Sequence, residues 1–179
     1  MYTYQFVPEL PVSNKTWVTF KIKAKENAHI ALSAVYGALE QKTYEITIGG
    51  LNNTRCYIRE NAEGPKRAEA ITKGILDGED SRDFWISWKD GIIQVGEGNE
   101  KGKNRIMYWR VPAKKLHSVN CLSVSTDKGS DGQWEFVDLV CRYFAKAFSS
   151  LLLQGLSIWL FLCNAGVSSA RVNVRKLKP

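Results

Sequence analysis

The chain has 179 residues, 44% of them hydrophobic and 11% aromatic, and a formal net charge of +7. That length holds one domain with a core of its own. Six of the 25 basic residues (Arg142, Lys146, Arg171, Arg175, Lys176 and Lys178) follow residue 141, where no Asp or Glu occurs, which leaves 19 basic against 18 acidic residues before it. A nucleic-acid binder needs a basic face on its folded part, and this distribution argues against a nucleic-acid partner.

Short alternating runs fill the chain to about residue 137. Val18, Phe20, Ile22 and Ala24 alternate with Thr19, Lys21 and Lys23, and Ile30 and Leu32 alternate with His29, Ala31 and Ser33. This is the period of a half-buried strand. Tyr44, Ile46 and Ile48 alternate with Glu45 and Thr47, and Gly49-Gly50-Leu51-Asn52-Asn53 then breaks the run as turn residues do. Thr54, Cys56 and Ile58 alternate next with Arg55, Tyr57 and Arg59. Phe84, Ile86 and Trp88 alternate with Trp85 and Ser87, and Asp90-Gly91 before Ile92-Ile93-Gln94-Val95 is a strong hairpin signal. Further runs lie at Arg105–Arg110, Val119–Val124 and Gln133–Val137. Many short strands at this spacing predict an all-β, antiparallel β-sandwich (jelly-roll-like) over residues 1–138. The six tryptophans suit core and cross-strand packing in such a fold.

Residues 139–179 differ in character. Val140, Phe144, Ala147, Leu151 and Gly155 follow helical spacing, and no charge occurs from Ala147 to Ala170. This predicts a C-terminal apolar helix with a basic end. Three roles stay open for it: a membrane contact through residues 147–170, a helix packed on the sandwich, or an atypical end of the coding sequence. The N-terminal Met-Tyr-Thr-Tyr-Gln-Phe-Val-Pro has no basic and apolar leader pattern, which favours a cytoplasmic protein with membrane association only through the tail.

Few residues offer reactive chemistry. Cys56, Cys121, Cys141 and Cys163 form no Cys-x-x-Cys and no ligand spacing with His29 and His117, so no metal site is expected. Gly96-Glu97-Gly98 follows a strand, as nucleotide-binding loops do, but the positions beyond it lead into the strand run Arg105–Arg110 rather than a helix, so a hairpin connection is expected. His29 and His117 are the two candidate bases near neutral pH, and neither has an acidic neighbour in sequence. Arg55 and Arg59 share one face of a strand. With Glu45 on the neighbouring strand they suit a carboxylate or a sugar, and they also suit a surface cross-strand salt bridge.

The order of several short pieces resembles the farnesoic acid O-methyltransferase (FAMeT-like) domain family. These are Trp17-Val18-Thr19-Phe20, Ala28–Ser33, Tyr44–Gly50, Asn53-Thr54-Arg55, Ile58-Arg59, Gly74-Ile75-Leu76, Phe84–Gly91, Ile93-x-Val95-Gly96 and Gly132–Phe136. The resemblance covers about residues 15–137. It implies methyl transfer from S-adenosylmethionine to farnesoic acid in juvenoid hormone synthesis, and it brings no catalytic set to carry over. In that reading Arg55 or Arg59 binds the substrate carboxylate and Trp85 walls an apolar channel. The alternative is a non-catalytic lectin-like or lipid-binding sandwich. The partner is then a small apolar carboxylate or a glycan, with Glu45, Arg55, Arg59, Trp85 and His29 as ligand-binding candidates.

Overall fold

The computed structural model describes residues 5–6, 12–35, 41–126, 131–137 and 169–174. Among them twelve strands run in chain order: β1 (Gln5–Phe6), β2 (Trp17–Ala24), β3 (Ala28–Ser33), β4 (Thr43–Gly49), β5 (Arg55–Glu60), β6 (Lys66–Ile71), β7 (Arg82–Ser87), β8 (Ile92–Glu97), β9 (Arg105–Arg110), β10 (Cys121–Thr126), β11 (Gly132–Val137) and β12 (Ser169–Val174). They form two six-stranded sheets, ordered β1-β10-β3-β4-β5-β6 and β12-β11-β2-β7-β8-β9. Every pairing is antiparallel. The chain is therefore an all-β, two-sheet antiparallel sandwich. β3 to β6 and β7 to β9 are meanders, and the connections β1–β2, β2–β3, β6–β7, β9–β10 and β10–β11 join strands of different sheets.

Alternation fixes what lies between the sheets. In the first sheet Val124, Ile30, Ile46, Ile58 and Ala68 form one row across five strands. In the second, Phe136, Phe20 and Phe84 form another. Their ring centroids lie 5.6 Å (Phe20 to Phe136) and 6.1 Å (Phe20 to Phe84) apart. Both rows belong to a single buried cluster with Trp134, Trp109 and Val95, apart from Ala68, which is partly buried and packs against it. Each large side chain buried there stabilises the fold by roughly 1.5–3 kcal/mol. Tyr44 closes one end of the core. Its ring meets Trp109 edge-on and stacks on His117 with centroids 3.9 Å apart. Its hydroxyl donates to the Lys115 carbonyl and accepts from the His117 amide. Burial pushes the Tyr44 phenol up and the His117 imidazole down.

Two expectations change. β3 and β4 are buried at every position, not on alternate ones, so both faces of these central strands are covered. The expected C-terminal helix is contradicted over residues 169–174, which form β12 and pair with β11 from Gly132↔Val174 to Val137↔Ser169. The sequence Ala170-Arg171-Val172-Asn173-Val174 alternates as a strand does, a pattern overshadowed by the uncharged run before it. β12 lies beyond the domain limit expected at residue 138. The remainder of the 139–179 segment, including the 147–170 run, lies outside the described residues. Among the described residues no helix is long and apolar enough to cross a membrane.

Candidate functional site

The outer face of the first sheet carries the polar half of the alternation. Its rows are Ser125, His29, Thr47, Tyr57 and Glu69, then Ser123, Ala31, Glu45 and Arg59. Glu45 is fully buried. A carboxylate taken from water needs charge and hydrogen-bond partners. Here the Glu63 amide donates to Oε2 at 2.9 Å, Arg59 Nε lies 3.7 Å from Oε2, and His29 Nδ1 lies 3.5 Å from Oε1. Arg59 also donates through Nη1 to the Gly64 carbonyl at 2.9 Å, which ties the β5–β6 turn to the sheet.

Above this floor opens a basin of about 250 Å³ lined by Asn27, His29, Thr47, Leu51, Tyr57, Arg59 and Glu63. The lining is polar apart from Leu51 and the ring of Tyr57. Lys66 Nζ sits 3.7 Å from the Tyr57 ring centroid and the Arg59 guanidinium 5.2 Å from it, so two cations lie against the ring. Two adjacent glycines shape the wall. Gly49 has φ 66°, and a Cβ on Gly50 would meet Tyr57 Cε2 at 2.6 Å. The β4–β5 turn therefore lies directly on the tyrosine ring.

The chemistry of the His29 group is positional. Thr47 Oγ1 lies 3.1 Å from His29 Nδ1, the same ring nitrogen that faces Glu45. A nucleophile relay needs the carboxylate on one nitrogen and the hydroxyl on the other. With both neighbours on Nδ1, His29 cannot pass a proton from Thr47 to Glu45. The three side chains orient one another instead.

Of the five residues expected at a site, the fold brings three together: His29, Glu45 and Arg59. Arg55 sits on the same face but is held by Glu69, with Nη1 2.6 Å from Oε1, and it does not line the basin. That is the cross-strand salt bridge. It holds the Glu69 carboxyl below its usual range, with Lys66 contributing. Trp85 is elsewhere: it lies on β7 in the second sheet, facing away from the core. Its ring lies over Gly96, where a Cβ would meet Trp85 atoms at 2.3 Å, and its Nε1 donates to the Lys103 carbonyl at 2.8 Å. Trp85 therefore walls no channel beside Arg59. Sequence reasoning missed Asn27, Thr47, Leu51, Tyr57 and Glu63. Thr47 and Tyr57 were within reach, since alternation puts them beside Glu45 and Arg59; the other three come from turns.

The expected hairpin at Gly96-Glu97-Gly98 is present: β8 pairs with β9, and the Glu97 amide donates to the Asn104 carbonyl. With Gly96 covered by Trp85 and a strand following, these glycines do not fit a cofactor loop. Among the described residues no group of His, Cys, Asp and Glu could hold a metal ion.

A two-sheet antiparallel sandwich with a polar basin on one outer face is the class that fold and geometry define. The chain belongs to the family described as "Farnesoic acid 0-methyl transferase", whose model matches residues 1–139. "Uncharacterized protein 5" of Haliotis asinina is 32% identical over 125 residues, which cover 70% of this chain and 69% of that protein. Two solved structures are also similar. One is a Bacillus subtilis protein of unknown function with a galectin-like fold (TM-score 0.49, 8% identity, 74% of this chain and 72% of the other). The second is the Ruminococcus gnavus IT-sialidase CBM40 bound to α2,3 sialyllactose (TM-score 0.36, 10% identity, 69% of this chain and 78% of the other).

Proposed function

We propose that this domain is a non-catalytic binding module that takes a sugar ring in the basin on the outer face of the first sheet. The observation that carries the reading is the lining itself: Asn27, His29, Thr47, Arg59 and Glu63 converge on about 250 Å³ above the buried Glu45. Convergent donors and acceptors with a small apolar contact suit a polyhydroxylated ligand. The apolar contact in the basin comes from Leu51 and the Tyr57 ring, too small a surface for a long apolar tail. The immobilised His29–Thr47–Glu45 group supports binding over turnover, because its members are arranged to hold each other and not to move a proton.

A glycan array probed with the folded chain tests this, with isothermal titration of any hit. We expect at least one mono- or disaccharide hit, and Arg59→Ala to weaken it by about tenfold, the usual effect of losing one hydrogen bond to a charged group. Uniform blanks on the array would overturn the reading. The family's description favours a second reading: methyl transfer from S-adenosylmethionine to an apolar carboxylate, with Arg59 as carboxylate anchor. Calorimetry at millimolar S-adenosylmethionine decides it. Absence of binding heat from a folded sample removes that reading.

A further inference from the structure

Backbone strain gathers around the basin. Three of its lining residues sit in the left-handed region without being glycine: Asn27 at φ 52°, Leu51 at 51° and Glu63 at 56°. Asparagine tolerates that region, whereas leucine has no local hydrogen bond to offset it. Leu51 nevertheless opens a run of three such residues with Asn52 and Asn53. The surroundings over-determine the run. Asn53 clamps Leu76 in both directions, donating from Nδ2 to its carbonyl at 2.8 Å and accepting its amide on Oδ1 at 3.1 Å. Thr54 Oγ1 donates to the Leu51 carbonyl at 2.6 Å, and the Thr54 amide to the Gly50 carbonyl at 3.0 Å. What this fixed turn displays is an isobutyl group, 62% exposed, on the wall of an otherwise polar basin. A side chain 62% exposed gains little from packing to offset that conformation. Strain of this kind marks sites that hold ligands.

We infer that Leu51 is the specificity residue of the basin, and that the ligand is a methyl-bearing sugar, N-acetylated or 6-deoxy, whose methyl group packs on Leu51. This rests on the glycan reading above. A branched aliphatic side chain covers a patch of methyl size, while the flat face of an unsubstituted ring is better matched by an aromatic plane. The polar lining takes the hydroxyls.

The test is titration of wild type, Leu51→Gly and Leu51→Asn with N-acetylglucosamine against glucose, and with fucose against galactose, alongside thermal melts of all three proteins. Wild type is expected to prefer the methyl-bearing member of a pair by about three- to five-fold, the gain for one buried methyl. Both variants should lose that preference. Leu51→Gly should also melt higher, by about 3 °C, because glycine relieves the left-handed strain. Retained preference in Leu51→Gly, or equal binding of both members of each pair by wild type, overturns the inference and leaves the glycan reading standing. If wild type binds none of the four sugars and the glycan array is blank, both fall. Loss of preference with a lower melting point in both variants would mean that Leu51 is structural, and overturns the inference as well.

Discussion

On the outer face of the first sheet a carboxylate, an imidazole and a hydroxyl are buried together under turns of left-handed backbone. On the outer face of the second, Trp85 lies flat over Gly96 and fastens its one polar atom to the Lys103 carbonyl. The first face keeps polar groups out of water by making them partners of one another. The second does so by removing a Cβ, so that an aromatic ring can cover the backbone. The difference is instructive because the sequences of the two faces look equally suited to a site. An aromatic ring that fills its own niche leaves no room for a ligand, whereas the polar cluster forms a fixed floor beneath an open basin.

The largest test of this contrast is Glu45→Ala. It removes the acceptor of the Glu63 amide and the charge opposite Arg59. Breaking a buried charge network by deleting one partner should cost about 3 kcal/mol in urea denaturation, and ligand binding in the basin should be lost with it. Gly96→Ala should be smaller and confined to the second sheet. Its Cβ would meet the hydrogen-bonded Trp85 ring at 2.3 Å, and such overpacking costs about 2 kcal/mol. Basin affinity should stay unchanged; a Gly96→Ala protein that folds but fails to bind would break the comparison.

Arg55→Ala should have the smallest effect. Arg55 faces Glu69 in an exposed pair, and such pairs contribute little. The melting temperature should move by no more than about 2 °C and sugar affinity should not change. The sign with pH is fixed by Glu69, whose folded carboxyl is held below the usual 4.5, Arg55 being the first cause. A depressed carboxyl stabilises the fold above its ordinary value and loses that contribution as the pH falls through the folded value. Wild type and Arg55→Ala should therefore differ slightly at pH 7 and converge in acid. A difference that persists or grows below pH 3 would count against the pair.

The inner faces of the sandwich were legible in the sequence because alternation of period two is a local signal. Val18-Thr19-Phe20 and Tyr44-Glu45-Ile46 each place their apolar members inward, as read. The Glu45–Arg59 juxtaposition was legible too, since a tight turn at Gly49-Gly50 fixes which residues of β4 and β5 face each other. The rest of the site was not. Asn27 and Glu63 reach the basin from turns whose left-handed backbone has no pattern in sequence. The placement of Trp85 away from the basin was not legible, because alternation fixes the face but not what covers it, nor that its partner is a glycine on the next strand. β12 was missed because its pairing spans more than thirty residues of chain, beyond what a local pattern reports.

That last strand has a practical consequence. The family match ends at residue 139, and a fragment trimmed there would lack Ser169–Val174. Its β11 would become a six-residue edge with a full row of unpaired amides and carbonyls, adjoining the aromatic row of Phe136, Phe20 and Phe84. Open edges of that kind recruit other chains. The trimmed fragment would self-associate through β11, and its behaviour in solution would mislead anyone seeking the oligomeric state of the whole protein.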